Sequence, residues 1–123
     1  MSNLNITQRR SGSVTILDLQ GKIKLGEGNL EIHQILRDLV EKGEKKILMN
    51  LAGVSSIDSS GLGELIAGYA TLQKNGGDLK LLNLTERVSE IMMITKLLTV
   101  FDAFDDEAQA IESFKGETGE ASA

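Results

Sequence analysis

The sequence predicts an α/β fold built on a mixed, mostly parallel central sheet of about four to five strands, with about four helices mainly on one face. Two observations predict it. Apolar residues recur along the chain at helical spacing in some segments and in short extended runs in others. One of those runs, Lys46-Ile47-Leu48-Met49-Asn50-Leu51, is too continuously apolar for a strand with one wet face and reads as a central strand buried on both sides. Strands that alternate with helices are joined by crossovers, which make neighbouring strands parallel. At 123 residues the chain is sized for one domain. That domain is expected over residues 1–114, with residues 115–123 a disordered tail, because Gly, Glu, Thr, Ser and Ala offer too little apolar surface to pack.

Proline is absent, so glycine supplies the punctuation. Ile6 to Arg10 and Ser13 to Gln20, joined at Ser11-Gly12, read as an opening hairpin with Val14, Ile16 and Leu19 inward. Gly21, Gly26 and Gly28 interrupt a short extended piece through Ile23 and Leu25. Ile32, Ile35, Leu36, Leu39 and Val40 then share one helical face, in a helix that ends near Gly43. After the central strand and a loop at Ala52 to Asp58, the residues Leu62, Leu65, Ile66, Tyr69 and Leu72 mark a second helix, stopped by Asn75-Gly76-Gly77. Leu79, Leu81 and Leu82 form another strand, Val88, Ile91, Met92 and Thr95 a third helix, and Val100-Phe101 a last short strand. Asp105-Asp106-Glu107 complement the dipole of a closing helix through Ala108, Ile111 and Phe114.

Composition removes several classes of function. Hydrophobic residues at 41% and charged residues at 25% are ordinary globular usage, and no run approaches the roughly 20 apolar residues of a spanning helix. The first residues lack the profile of a signal peptide, so the protein is expected in the cytoplasm and away from membranes. Without cysteine there is no disulfide, thiolate metal site or cysteine nucleophile, and the single histidine, His33, cannot make a multi-histidine metal site. A net charge of −5 repels a phosphate backbone, so direct nucleic-acid binding is not expected.

Chemistry concentrates in Ser55-Ser56-Ile57-Asp58-Ser59-Ser60-Gly61-Leu62-Gly63, beyond the carboxyl end of the central strand, where sites in open α/β sheets cluster. Asp58 has the side chain to cap the following helix, which places Ser59 and Ser60 in its first turn beside unpaired N–H groups and the positive end of the dipole. A phosphate added there is electrostatically tolerated. Gly61 and Gly63 carry no side chain and permit close approach of a partner backbone. The same residues also describe an ordinary capped helix, with serines as filler and glycines for packing against the sheet.

The stretch from Met49 to Gly63, Met-Asn-Leu-Ala-Gly-Val-Ser-Ser-Ile-Asp-Ser-Ser-Gly-Leu-Gly, closely resembles the signature of STAS domains, the fold of bacterial anti-sigma factor antagonists. The resemblance extends from the hairpin through Gly76-Gly77-Asp78-Leu79-Lys80-Leu81 to Leu98-Thr99-Val100-Phe101 and Asp105-Asp106-Glu107-Ala108. It implies a STAS fold and a phosphoacceptor at Ser59, the serine directly after the aspartate. It further implies two partners: an anti-sigma factor that is itself a serine kinase, and a serine phosphatase that reverses the modification. Asp58, Ser60, Gly61, Leu62 and Gly63 are then the expected partner-binding residues, and the unphosphorylated form frees the sigma factor. Lys96 stands where many relatives carry glycine, a departure that bears on the geometry after the third helix.

No catalytic residue, cofactor or metal is expected. Ser59 and Ser60 are not framed as G-x-S-x-G, and His33 falls in a predicted helix far back in sequence, against a serine hydrolase. Gly61-Leu62-Gly63 lacks the third glycine of a dinucleotide fingerprint, since position 66 is Ile66. Asp105-Asp106-Glu107 reads as a dipole complement and not as a metal site. The competing reading within binding modules is a STAS scaffold or relay that is never phosphorylated.

Overall fold

A computed structural model describes residues 4–26 and 28–117. The hairpin forms as β1 (Leu4–Ser11) antiparallel to β2 (Val14–Ile23), with Ser11 opposite Val14. Gly12 takes a positive φ of 60°, the left-handed conformation a two-residue hairpin loop requires. The chain continues through α1 (Asn29–Glu41), β3 (Lys46–Ile57), α2 (Ser59–Lys74), β4 (Asp78–Leu82), α3 (Glu86–Ile94), a 3-10 turn (Leu97–Thr99), β5 (Ala103–Phe104) and α4 (Glu107–Glu117). The five strands lie in the order β1-β2-β3-β4-β5, antiparallel at the first pair and parallel thereafter.

Alternation along β3 divides the molecule into two layers. Ile47, Met49 and Leu51 point into a large core beneath α1, α2 and α3, where Leu36, Leu65 and Met92 meet them. Leu48 points the other way, into a smaller core of Val14, Ile16 and Leu82 that Ala110 and Phe114 of α4 close. Ile47, Leu48, Met49 and Leu51 are all fully buried, as a strand with two dry faces requires. Three helices therefore share one face and the fourth takes the other.

Three boundaries differ from expectation. The loop expected at Ala52 to Asp58 is strand as far as Ile57. The small and polar residues there resemble a loop, yet pairing with β2 continues across two register shifts, with Gln20 opposite Gly53 and Ile23 opposite Ile57, while Val54 and Ile57 remain buried. The strand expected at Val100-Phe101 is not formed. Phe101 N–H bonds to the Leu97 carbonyl at 3.1 Å, and its ring plugs the core edge-on to Tyr69 at 5.2 Å, so the last strand falls at Ala103–Phe104. The closing helix runs to Glu117, so Lys115, Gly116 and Glu117 are helical; the rest of the expected tail, 118–123, lies outside the described residues.

Lys80 is a feature that periodicity does not reveal. It is 2% exposed on the α4 side of β4, donates to Ser113 Oγ at 2.9 Å and lies 4.8 Å from the centre of the Phe114 ring. Among the described residues no helix is long and apolar enough to cross a membrane.

Lys96 adopts a φ of 65°, left-handed backbone in which a side chain is strained. Replacing it with glycine removes that strain at the cost of a freer unfolded chain. Lys96→Gly is expected to raise stability by about 0.5–1 kcal/mol in urea denaturation; a loss of stability would show that the Lys96 side chain supplies more than the strain costs.

Candidate functional site

The site is the junction where β3 hands over to α2. Ile57 is buried at the end of the strand and fixes the approach. Asp58 is extended, with φ −115° and ψ −172°, and caps the helix: its Oδ1 accepts from Gly61 N–H at 3.0 Å. Its Oδ2 accepts from Leu25 N–H at 3.1 Å, in the loop that follows β2. The two segments also meet through Asp58 N–H, which donates to the Ile23 carbonyl at 3.3 Å. The Gly61 hydrogen bond first, and those from Leu25 and Ser60 N–H and the charge of Lys24 after it, hold the Asp58 carboxyl below its ordinary range.

Ser59 is the first residue of α2 and is exposed; among the described residues its hydroxyl forms no hydrogen bond. Ser60 is half-buried and Gly63 is exposed, with open space where a side chain would project. Gly61 and Leu62 are different. A Cβ at Gly61 would collide with the Ile23 carbonyl and the Ile57 side chain, and Leu62 is 7% exposed and packs in the main core. Of the residues expected to meet a partner, Asp58, Ser59, Ser60 and Gly63 reach the surface. Gly61 and Leu62 face inward, because helical spacing turns them onto the sheet.

Both Asp58 oxygens are engaged by backbone N–H groups, and among the described residues no base reaches the Ser59 hydroxyl. His33 is exposed on α1, as expected, and its Nδ1 lies 3.1 Å from Glu64. Asp106 caps α4 through Gln109 N–H at 3.0 Å, and Glu107 pairs with Arg9 at 2.6 Å, so these two acids are structural. No group of residues suited to a metal ion occurs among the described residues. What remains is an exposed hydroxyl at a helix N-terminus, on a rigid mount and beside free space.

The tie between Asp58 and Leu25 joins residues 33 positions apart and had no signal in sequence. The exposed positions of the site did have one, in the capping pattern itself.

The two glycines separate experimentally. Gly61→Ala forces overlap with backbone and is expected to cost about 1–3 kcal/mol. Gly63→Ala meets nothing and adds helix propensity, so it is expected to gain up to about 1 kcal/mol. Thermal or urea unfolding distinguishes the two, and equal effects would refute the packing assigned to Gly61.

Asp58 makes a pH-dependent contribution. Its folded pKa lies below the ordinary 3.8, so the stabilisation is complete above that value and is lost as pH falls through the folded pKa. Asp58→Ala is expected to be less stable by about 1 kcal/mol at pH 7. The difference from the parent protein should narrow below about pH 4, as urea titrations at several pH values will show.

The model of the family described as STAS domain matches residues 5–110. The anti-sigma-B factor antagonist of Bacillus subtilis is 30% identical over 100 residues, which cover 81% of this chain and 90% of the relative. Among solved structures, an anti-sigma factor antagonist from Mycobacterium paratuberculosis superposes with a TM-score of 0.81 at 18% identity, covering 91% of this chain and 94% of the other. The Bacillus cell fate determinant SpoIIAA in its phosphorylated form superposes with a TM-score of 0.70 at 19% identity, covering 89% and 98%. The hairpin from Asn5 onward, the parallel strands and the capped helix that carries Ser59 fall within the matched residues, and the chain belongs to the STAS domain family.

Proposed function

We propose that this STAS domain is an anti-sigma factor antagonist. With Ser59 unmodified it binds an anti-sigma factor that is a serine kinase and so releases a sigma factor; phosphorylation of Ser59 by that kinase ends the interaction, and a serine phosphatase restores it. The single observation that carries this reading is the exposed, unengaged Ser59 hydroxyl at the first position of a helix capped by Asp58. The 30% identity to the anti-sigma-B factor antagonist of Bacillus subtilis supports it.

The physics suits a binding module and not a catalyst. A phosphate brings about −1.5 to −2 charges to a position beside Asp58. In free solution water and the helix N-terminus solvate it, whereas in a contact without cations it is buried at a cost of several kcal/mol. Each 1.4 kcal/mol is about tenfold in affinity, so one group moves the complex from formed to dissociated without refolding the domain.

Intact-mass spectrometry with site mapping, after incubation with ATP and the anti-sigma kinases encoded in the same genome, is expected to find one phosphate on Ser59. Ser59→Ala should fold as the parent does and keep binding the kinase, and Ser59→Asp should bind more weakly by calorimetry. No modification of the folded domain by any of these kinases would favour a scaffold that is never phosphorylated.

A further inference from the structure

We infer that the groove between α1 and α2 is a binding site for a small organic cation, an apolar body carrying one ammonium group, and that Glu64 receives the ammonium. Such a site is independent of the role proposed for Ser59. Both helices cross back over the sheet between parallel strands and so run parallel to one another. They close at Gly68, where a Cβ would collide with the Leu36 side chain, and both residues are buried. Beside that contact α2 presents Ala67 and Thr71, exposed side chains too short to fill the space in front of α1. A groove of about 380 Å³ is left, running along about two turns of helix.

The groove has the make-up of a small-molecule site, with a volume in the usual range, an apolar floor and few polar groups. Leu36 and Val40 supply the floor, and Val40 is half-buried against the main core. The polar groups are uneven in charge. On the outer rim Arg37 and Glu41, one turn apart on α1 and 3.4 Å from each other, cancel. At one end Glu64 meets His33, whose Nδ1 lies 3.1 Å from Oε1. The Glu64 side chain is only 22% exposed, and among the described residues its Oε2 forms no hydrogen bond. A carboxylate withdrawn from water in this way keeps the capacity to accept from a further donor.

Charge decides the occupant. The groove holds two carboxylates against one guanidinium, in a chain of net charge −5. An anionic head would meet Glu64 with no cation of its own, since Arg37 is already shared with Glu41. A neutral hydroxyl would gain a hydrogen bond alone. An ammonium gains the hydrogen bond and the attraction between charges, while its apolar body covers Leu36 and Val40.

The test is an NMR titration of the isotope-labelled protein with 3-phenylpropylamine, 3-phenylpropan-1-ol and 3-phenylpropionate, which share a body and differ in the head. The amine is expected to shift the amides of Leu36, Ala67 and Thr71 saturably and to bind about tenfold more tightly than the alcohol, with the propionate weaker than either. Methylamine, the head without the body, should leave those amides where they are. Glu64→Gln should bring the amine down to the affinity of the alcohol and leave the alcohol unchanged. Ala67→Leu fills the groove from an exposed helical position and should abolish binding of both at an unchanged unfolding temperature. Absence of a saturable shift with the amine in the parent protein would overturn the site. One affinity for all three compounds, or a preference for the amine that survives Glu64→Gln, would overturn the cation and the part given to Glu64.

Discussion

The first half of β3 is dry on both faces, and this determines what has to surround it. Burying Ile47, Leu48, Met49 and Leu51 contributes on the order of 10 kcal/mol before conformational entropy is counted. That gain is complete only while both layers are in place, since removing either one exposes one face of the strand. The large layer is secured by three helices and needs little else. The smaller one rests on a single helix, and its few apolar residues are supplemented by polar contacts.

Those contacts explain why charged groups gather around α4. Arg9 on the edge strand bonds to Asp18 and to Glu107, holding both carboxylates below their ordinary range, and Asp18 passes the link to Asn50 at 2.8 Å. Pairs this exposed add little stability one by one. Their value is geometric, because they fix where α4 starts against β1, β2 and β3. Lys80 works from below. A buried ammonium is costly to desolvate, and here the Ser113 hydroxyl, Asp102 at 3.7 Å and the ring of Phe114 offset that cost. A helix with a small apolar face is thereby held at one position on the sheet.

The elements legible in the sequence were those whose physics is local. The hairpin follows from Gly12, the dry strand from an unbroken apolar run, and the Asp58 cap from a carboxylate three residues before an available N–H. What escaped depends on partners distant in the chain. Gly53 and Ser56 look like loop until β2 is there to pair with them, and Val100-Phe101 looks like strand until Tyr69 is seen to receive the ring. Lys80 reads as an ordinary outward lysine in a strand until α4 covers it. At the site the same division holds. The exposure of Ser59 follows from helical geometry once the cap is placed, whereas the inward packing of Gly61 requires the Ile23 carbonyl, and the hold on Leu25 requires a loop far back in sequence.

If Ser59 is the switch proposed above, its mount decides what kind of switch it is. The start of α2 is bonded to β2 through Asp58 and packed on it through Gly61, while Leu62 and Leu65 anchor the first turns in the core. Shifting that turn would break the cap and the packing together, a loss comparable with much of a small domain's net stability. On the proposed function, a phosphate on Ser59 has no need to do so, because the dipole of the helix already favours a negative charge there, by about 0.3–1 kcal/mol. On that reading, modification alters the charge of the domain and leaves its fold in place. The difference is expressed only in a complex, where the added charge loses its water, and a hundredfold change in affinity needs only about 2.7 kcal/mol of that loss. On the proposed function, the information carried by Ser59 is held as surface charge on an unchanged scaffold, and its magnitude is set by how completely the partner encloses the hydroxyl.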